Sequence, residues 1–159
     1  MGLIYTRQLK RLLISGKDLR EADRYLGVLE SHPEAGPLRD ALLISAVICY
    51  ARPFSHNQDS SQAVATPSLR TALPPELGEL HDQLLMLRNK AIAHSDYEAN
   101  SVNLMVFPSG TYGHTELFGP APVISVDPSD FRRLIATMLK AVRESIGRVE
   151  GKIEAGFHV

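Results

Sequence analysis

A helical period organises the stretch from Asp127 to Ile153, which is DPSDFRRLIATMLKAVRESIGRVEGKI. Asp127 can accept hydrogen bonds from free amide groups and Pro128 suits the first helical position, so together they favour the start of a helix. Apolar residues then recur every three or four positions, while most basic residues lie off that stripe. The pattern predicts an amphipathic helix over about 129–153.

Earlier segments predict further helices. One covers about 75–94 and has a broad apolar face. Another covers about 37–51 and is apolar on nearly all sides, which predicts that it is the central, most buried helix. Pro53 ends it, because the proline ring disfavours a helical conformation at Arg52. The N-terminal stretch is also helical, with a break expected at Ser15–Gly16.

Two segments lack a helical period. Residues 55–72 are polar and rich in Ser, which predicts a mobile loop. Residues 101–126 contain short apolar runs around Pro108–Gly110, which predicts a small β insertion with a turn there. The expected architecture is mainly α: one domain over residues 1–159, an antiparallel four- to five-helix bundle with a small β-hairpin inserted before the last helix.

Composition excludes several classes of protein. The chain has 159 residues, 44% of them hydrophobic, which is too apolar for a disordered protein. Cys49 is the sole cysteine, so a disulfide framework is excluded. The longest apolar run, residues 41–50, is about half of what a bilayer crossing needs. No signal peptide is evident at the N-terminus, so we expect a cytoplasmic protein with no membrane partner.

Charge is unevenly distributed although the net charge is only -1. Residues 1–24 hold six Lys and Arg against three Asp and Glu, and residues 131–152 hold six against two. Residues 25–130 are acidic, with five against twelve. Basic faces can bind phosphates, although solvated helix faces are commonly rich in Lys and Arg as well.

The sequence contains no glycine-rich phosphate-binding loop and no pair of histidines at the spacing of a helical zinc site. No cofactor and no metal are therefore expected. Cys49 lies in the most apolar helix and is interpreted as a small core residue.

A distinctive motif ends the helix predicted over 75–94. The sequence there is LLMLRNKAIAHSD, residues 84–96, in which an apolar run leads into Arg88 and Asn89, and His94 follows near the expected helix end. These residues resemble the motif of the HEPN superfamily, helical domains that occur in toxin–antitoxin and phage-defence ribonucleases. The chain also resembles small bacterial proteins of unassigned function, which combine this motif with a segment matching Tyr50–Phe54.

The resemblance implies metal-independent cleavage of RNA, with the ribose 2′-hydroxyl as nucleophile. His94 would serve as general acid and base, since an imidazole exchanges protons near neutral pH. Arg88 would hold the scissile phosphate, and Asn89 would orient His94 or bind a phosphate oxygen. The resemblance further implies a homodimer with a shared cleft, RNA or a nucleotide as ligand, and an antitoxin-like protein partner.

Nearby residues extend the candidate binding site. Lys90 would add positive charge, Tyr97 would offer a ring for base stacking, and His81 shares a helix face with Arg88 seven positions later. Phosphate binding in an acidic segment also requires cations from the N-terminal or last helix to face the cleft. The cations in question are Arg7, Lys10, Arg11, Arg132 and Arg133.

A structural interpretation remains open. Six helical positions place Arg88 and His94 about 120° apart, so they do not share a face of a regular α-helix. In a non-catalytic helical adaptor, Arg52, Arg88, His94 and Asp96 would instead form a polar network that ties helix ends together. A small-molecule pocket closed by residues 55–72 is the third possibility.

Overall fold

The computed structural model describes residues 2–33, 36–55, 69–92, 102–106, 112–116 and 126–157. This part of the chain is mainly helical, as predicted. Its four α-helices are α1 (Gly2–Ser31), α2 (Pro37–Ala51), α3 (Pro75–Met86) and α4 (Pro128–Phe157). Short 3-10 helices cover Arg52–Phe54 and Leu69–Ala72, and a π-helix, Leu87–Ile92, continues directly from α3.

The first helix is unbroken, so the expected break at Ser15–Gly16 is wrong. Ser15 is buried and its hydroxyl donates a hydrogen bond to the Arg11 carbonyl at 2.9 Å. A Cβ atom on Gly16 would lie 3.5 Å from a methyl group of Val142 on α4. Both residues therefore serve helix packing: a small residue at Gly16 lets α1 approach α4 closely, and α1 stays helical.

α1 and α4 run antiparallel. Near the end of α1, Asp23 and Glu30 form ion pairs with Arg132 at the start of α4, at 3.0 and 2.7 Å. At the opposite end, the Lys152 ammonium lies 5.8 Å from the centre of the Tyr5 ring. α1 packs along both α4 and α2. α2 has the largest share of buried residues among the described helices, as predicted for the helix over 37–51, and α1 lies between α2 and α4.

α2 has the predicted bounds. Gly36 precedes it with a φ of 149°, a conformation that favours glycine, and Pro37 occupies the first turn. The expected effect of Pro53 is wrong in detail: Arg52 keeps helical dihedrals of -54° and -44°. The chain continues there as a short 3-10 helix. Pro53 is tolerated near the start of this helix, because no backbone amide donor is required at that position.

α4 begins as the sequence predicts. The Asp127 carboxylate accepts a hydrogen bond from the Ser129 amide at 2.7 Å, and Pro128 is the first helical residue. Such a cap satisfies one of the free amides at the helix start. The helix extends to Phe157, four residues beyond the predicted end.

Two strands, β1 (Val102–Val106) and β2 (Tyr112–Glu116), pair antiparallel within the segment expected to be a β insertion. Val102 is opposite Glu116 and Val106 is opposite Tyr112. The predicted turn at Pro108–Gly110 lies outside the described residues. Within the segment predicted to be a mobile loop, Leu69–Ala72 are instead 3-10 helical and residues 56–68 lie outside the described part.

The described helices enclose one apolar core. All four contribute to it, and Leu69 of the second 3-10 helix is buried among them. Its largest fully buried side chains include Tyr50, Phe131, Leu12, Leu19, Leu26, Leu43 and Met138. None of the described helices is both long and apolar enough to span a bilayer.

Candidate functional site

A basic groove of about 480 Å³ lies where the first half of α1 meets the end of α2 and the π-helix. Among the described residues, its walls carry five cationic side chains and one carboxylate, Asp18. The cations come from three separate elements, and they are Arg7, Lys10, Arg11, Arg52 and Arg88. Clustered like charges of this kind attract anions and raise their local concentration.

The α1 wall of the groove follows from the helical period. Arg7, Arg11 and Asp18 recur at four and seven positions, so an unbroken α1 presents them on one face. Lys10 lies three positions after Arg7 and flanks the same stripe. Arg7 and Lys10 are exposed and form no ion pair with another described residue.

Arg11 is the most constrained cation of the groove. One guanidinium nitrogen, Nη2, donates to the Ser55 carbonyl at 3.2 Å and so ties α1 to the end of α2. Its Nε atom is buried and has no hydrogen-bond partner in the described structure. A buried donor without an acceptor is costly and marks a place where an unseen acceptor would be stabilising.

Arg52 reaches the groove from the 3-10 turn after α2. Its Nη1 atom lies 3.6 Å from an Asp18 carboxylate oxygen, and the Arg52 side chain is 56% exposed. This is a long and solvated ion pair of the kind that contributes at most about 1 kcal/mol. Arg52 therefore keeps donors available to a ligand in the groove.

Arg88 marks the junction of two cavities. Besides the basic groove, it lines a smaller cavity of about 260 Å³ with Phe54, Leu85 and Asn89. Its Nη1 atom donates to the Asn89 side-chain oxygen at 2.8 Å, so Asn89 fixes one edge of the guanidinium. Both residues belong to the π-helix, a geometry that is rare and often found at functional sites.

The structure brings together only some of the residues proposed from the sequence. Arg52 and Arg88 line the same groove, and Asn89 contacts Arg88. Lys90 belongs to the π-helix, but its side chain lies outside the described part. The remaining candidates, His94, Asp96 and Tyr97, also lie outside the described residues.

His81 does not line the groove, contrary to its proposed role. It is 2% exposed, and its Nδ1 atom lies 2.6 Å from the hydroxyl of fully buried Tyr50. Burial lowers the pKa of the His81 imidazole and raises the pKa of the Tyr50 hydroxyl. Both groups are therefore neutral, and we assign the hydroxyl as donor to an unprotonated Nδ1.

Contacts with neighbouring aromatic rings explain why the His81 side chain is buried in the core. The Phe54 ring centre is 4.7 Å from that of His81, and the rings of Phe54 and Phe131 pack against Tyr50 at 5.4 and 5.3 Å. The His81–Phe54 and Tyr50–Phe131 pairs are edge-to-face, and such contacts stabilise beyond the area they bury. His81 is thus a core residue that supports the wall carrying Phe54.

The cations of α4 are engaged elsewhere. Arg132 pairs with two carboxylates of α1, and Arg133 lies 3.6 Å from Asp130. Of the cations that phosphate binding was expected to require, Arg7, Lys10 and Arg11 face the groove with Arg88. The contribution of Asp18 was missed because it depends on α1 continuing through Gly16, and that of the Ser55 carbonyl was missed because it joins residues 44 positions apart.

No family model, curated protein or solved structure matches this chain. Across the residues that the structure describes, no three His, Cys, Asp or Glu side chains are grouped so as to hold a metal ion. The site is therefore defined by the structure alone. It is a basic groove on a mainly helical domain, and Arg88 lies where this groove meets a smaller polar cavity.

Proposed function

We propose that the chain is a HEPN-like helical domain that binds RNA in the basic groove and cleaves it without a metal ion. The observation that carries the proposal is the position of Arg88, which joins four further cations in one solvent-accessible groove. Residues 25–130 are acidic, which by itself argues against phosphate binding. However, α1 adds Arg7, Lys10 and Arg11 to the groove that Arg88 lines. In this proposal the antiparallel helices form the HEPN-like bundle, and β1 and β2 form a hairpin inserted before α4.

Each motif residue has a role set by its chemistry. Arg88 holds the scissile phosphate, because a planar guanidinium donates two parallel hydrogen bonds to phosphate oxygens. Asn89 keeps that guanidinium oriented through the 2.8 Å hydrogen bond. His94 takes the proton from the 2′-hydroxyl and returns one to the leaving 5′-oxygen, so that a cyclic phosphate forms.

Convergence of Arg88 and His94 is part of the proposal. On a regular α-helix the two residues lie about 120° apart, so the proposal requires His94 of the same chain, or of a second copy, to be brought to Arg88. A second copy of the chain would bring another Arg88 and His94 to the same cleft. We therefore propose a homodimer as the active form.

The test is cleavage of an unstructured RNA in the presence of a metal chelator. Arg88→Lys keeps the charge but loses the two-pronged donor geometry, and His94→Ala removes the proton-transfer group. We expect each to lower the cleavage rate by about 100-fold or more. Arg20→Lys, on the opposite flank of α1 beside Val142, is the matched control and should keep the wild-type rate.

Two further measurements make the outcome decisive. Thermal unfolding shows that the variants remain folded, and sedimentation shows whether the chain dimerises. Equal cleavage by the wild type, Arg88→Lys and His94→Ala would show that the RNA is cut by a contaminant and would remove the enzymatic proposal.

A non-catalytic adaptor is the second candidate, and two contacts favour it. The Arg52–Asp18 ion pair and the Arg11–Ser55 hydrogen bond both fasten α1 to the end of α2. If the groove serves only that purpose, RNA neither binds nor is cut, and substitutions at Arg88 leave both measurements unchanged.

A further inference from the structure

The α1 wall of the groove carries more positive charge than the binding of one phosphate at Arg88 requires. Arg7 and Arg11 are one helical turn apart, about 6 Å along the helix axis, and Lys10 lies between them. Arg88 and Arg52 face them from elements that follow α2 and α3. A cavity of about 480 Å³ lies between these walls and exceeds the size of a single phosphate.

Arg11 supplies an observation independent of charge. Its Nη2 atom is held by the Ser55 carbonyl at 3.2 Å, while the adjacent Nε–H is buried without an acceptor. Nε and Nη2 form the side edge of a guanidinium, which binds anionic oxygens well. An anion that reached this edge would satisfy the unpartnered donor.

We propose that Arg7, Lys10 and Arg11 form a second phosphate subsite, which binds an internal phosphate of the same RNA strand whose scissile phosphate lies on Arg88. The inference rests on the proposed function and names its substrate class: an extended single strand.

Arginine dominates the groove, which favours phosphodiesters over an acidic protein segment. Four of the five cations are Arg, and guanidinium groups match the geometry and charge spread of a phosphate. Binding of an acidic segment is therefore the competing outcome of the experiment.

The experiment measures binding of a fluorescent 2′-O-methyl oligouridylate by anisotropy over a series of salt concentrations. The 2′-O-methyl groups block the nucleophile, so binding is measured without cleavage. Arg7→Gln/Lys10→Gln should weaken binding about tenfold at low salt. Loss of this one phosphate contact should also reduce the slope of log affinity against log salt by about 0.7 on a single strand.

The matched control is Arg20→Gln/Arg143→Gln, which removes the same charge from the other flank of α1 and α4. It should keep the wild-type slope. Equal slopes in the two double variants would overturn the subsite, and so would absence of binding to the wild type.

Arg11→Lys tests the guanidinium edge separately from charge. It should bind the oligouridylate several-fold more weakly than the wild type while its melting temperature shows that it is folded. Wild-type affinity in Arg11→Lys contradicts the role of the Nε donor. Competition by polyglutamate as strong as that by RNA would identify an acidic protein as the ligand and overturn the proposal.

The two proposals fail in different ways. If His94→Ala and Arg88→Lys abolish cleavage but Arg7→Gln/Lys10→Gln binds like the control, the second subsite fails and the ribonuclease proposal stands. If Arg7→Gln/Lys10→Gln weakens binding but no cleavage depends on His94, the groove binds RNA and the ribonuclease proposal fails.

Discussion

The hydrogen bond between Tyr50 and His81 gives a quantitative prediction for the stability of the core. Tyr50→Phe removes a hydroxyl that lies 2.6 Å from Nδ1 of a histidine with 2% exposure. The phenylalanine ring keeps the packing against Phe54 and Phe131, so no cavity is created. The cost is the buried, unpaired nitrogen of His81, about 1–3 kcal/mol.

For a domain of this length, 1 kcal/mol corresponds to about 2–4 °C in melting temperature. We therefore expect Tyr50→Phe to lower the melting temperature by about 4–8 °C, for a loss near 2 kcal/mol. Calorimetry or circular dichroism measures the shift, and chemical denaturation should show a lower midpoint with an unchanged slope.

Tyr25→Phe is the matched control. Tyr25 is half-buried against the same core, and its hydroxyl has no recorded hydrogen bond to another described residue. Its melting temperature should stay within about 1 °C of the wild type, within the range of ordinary surface substitutions. Equal melting temperatures for Tyr50→Phe and Tyr25→Phe would refute the assignment of a stabilising buried bond.

Two further predictions concern Gly16 and the pH dependence of stability. Gly16→Ala should raise the melting temperature by about 2–4 °C, because alanine is about 1 kcal/mol more favourable than glycine in a helix. The added Cβ fits, since it would lie at ordinary contact distances of 3.4 and 3.5 Å from Arg20 and Val142. Gly16→Val should lower the melting temperature, because the larger side chain overpacks against Val142. A Cβ on Gly147 meets nothing within 4 Å, so Gly147→Ala should raise the melting temperature. A higher melting temperature in all three variants would contradict the close packing of α1 and α4. Because burial lowers the pKa of His81 in the folded state, the unfolded chain binds its proton more readily, and stability should fall as the pH drops below about 6.5. Chemical denaturation at about pH 7.5 and about pH 5.5 measures this loss of unfolding free energy, which should be smaller in His81→Gln than in the wild type. An equal loss in the wild type and in His81→Gln would show that His81 does not titrate on unfolding.

The helix ends that depend on local chemistry were predictable from the sequence. Asp127 caps α4 as its side chain suggests, and α2 has the bounds that Pro37 and Pro53 indicate. These devices act within a few residues, so the sequence contains all the information they need. The break expected at Gly16 is wrong because Gly16 lies against Val142 of α4, a contact that is remote in sequence and that local residue preferences do not indicate.

The candidate site was predicted only in part, for the same reason. Arg88 and Asn89 stand out by their position after an apolar run. The cations of the α1 wall were expected from the sequence, but the place of Asp18 on the same face becomes visible only when α1 is taken as continuous through Gly16. The position of His81 depends on Tyr50, a contact partner 31 positions away that no helical period indicates.

The antiparallel packing of α1 on α4 has a consequence for biosynthesis. The two 30-residue helices come from opposite ends of the sequence and bury their apolar faces on each other. A ribosome releases α1 well before α4 is synthesised, so the face of α1 that packs on α4 stays uncovered until residues 128–157 have emerged. Joining two helices so far apart in the chain also carries a loop-closure entropy, which delays their docking further.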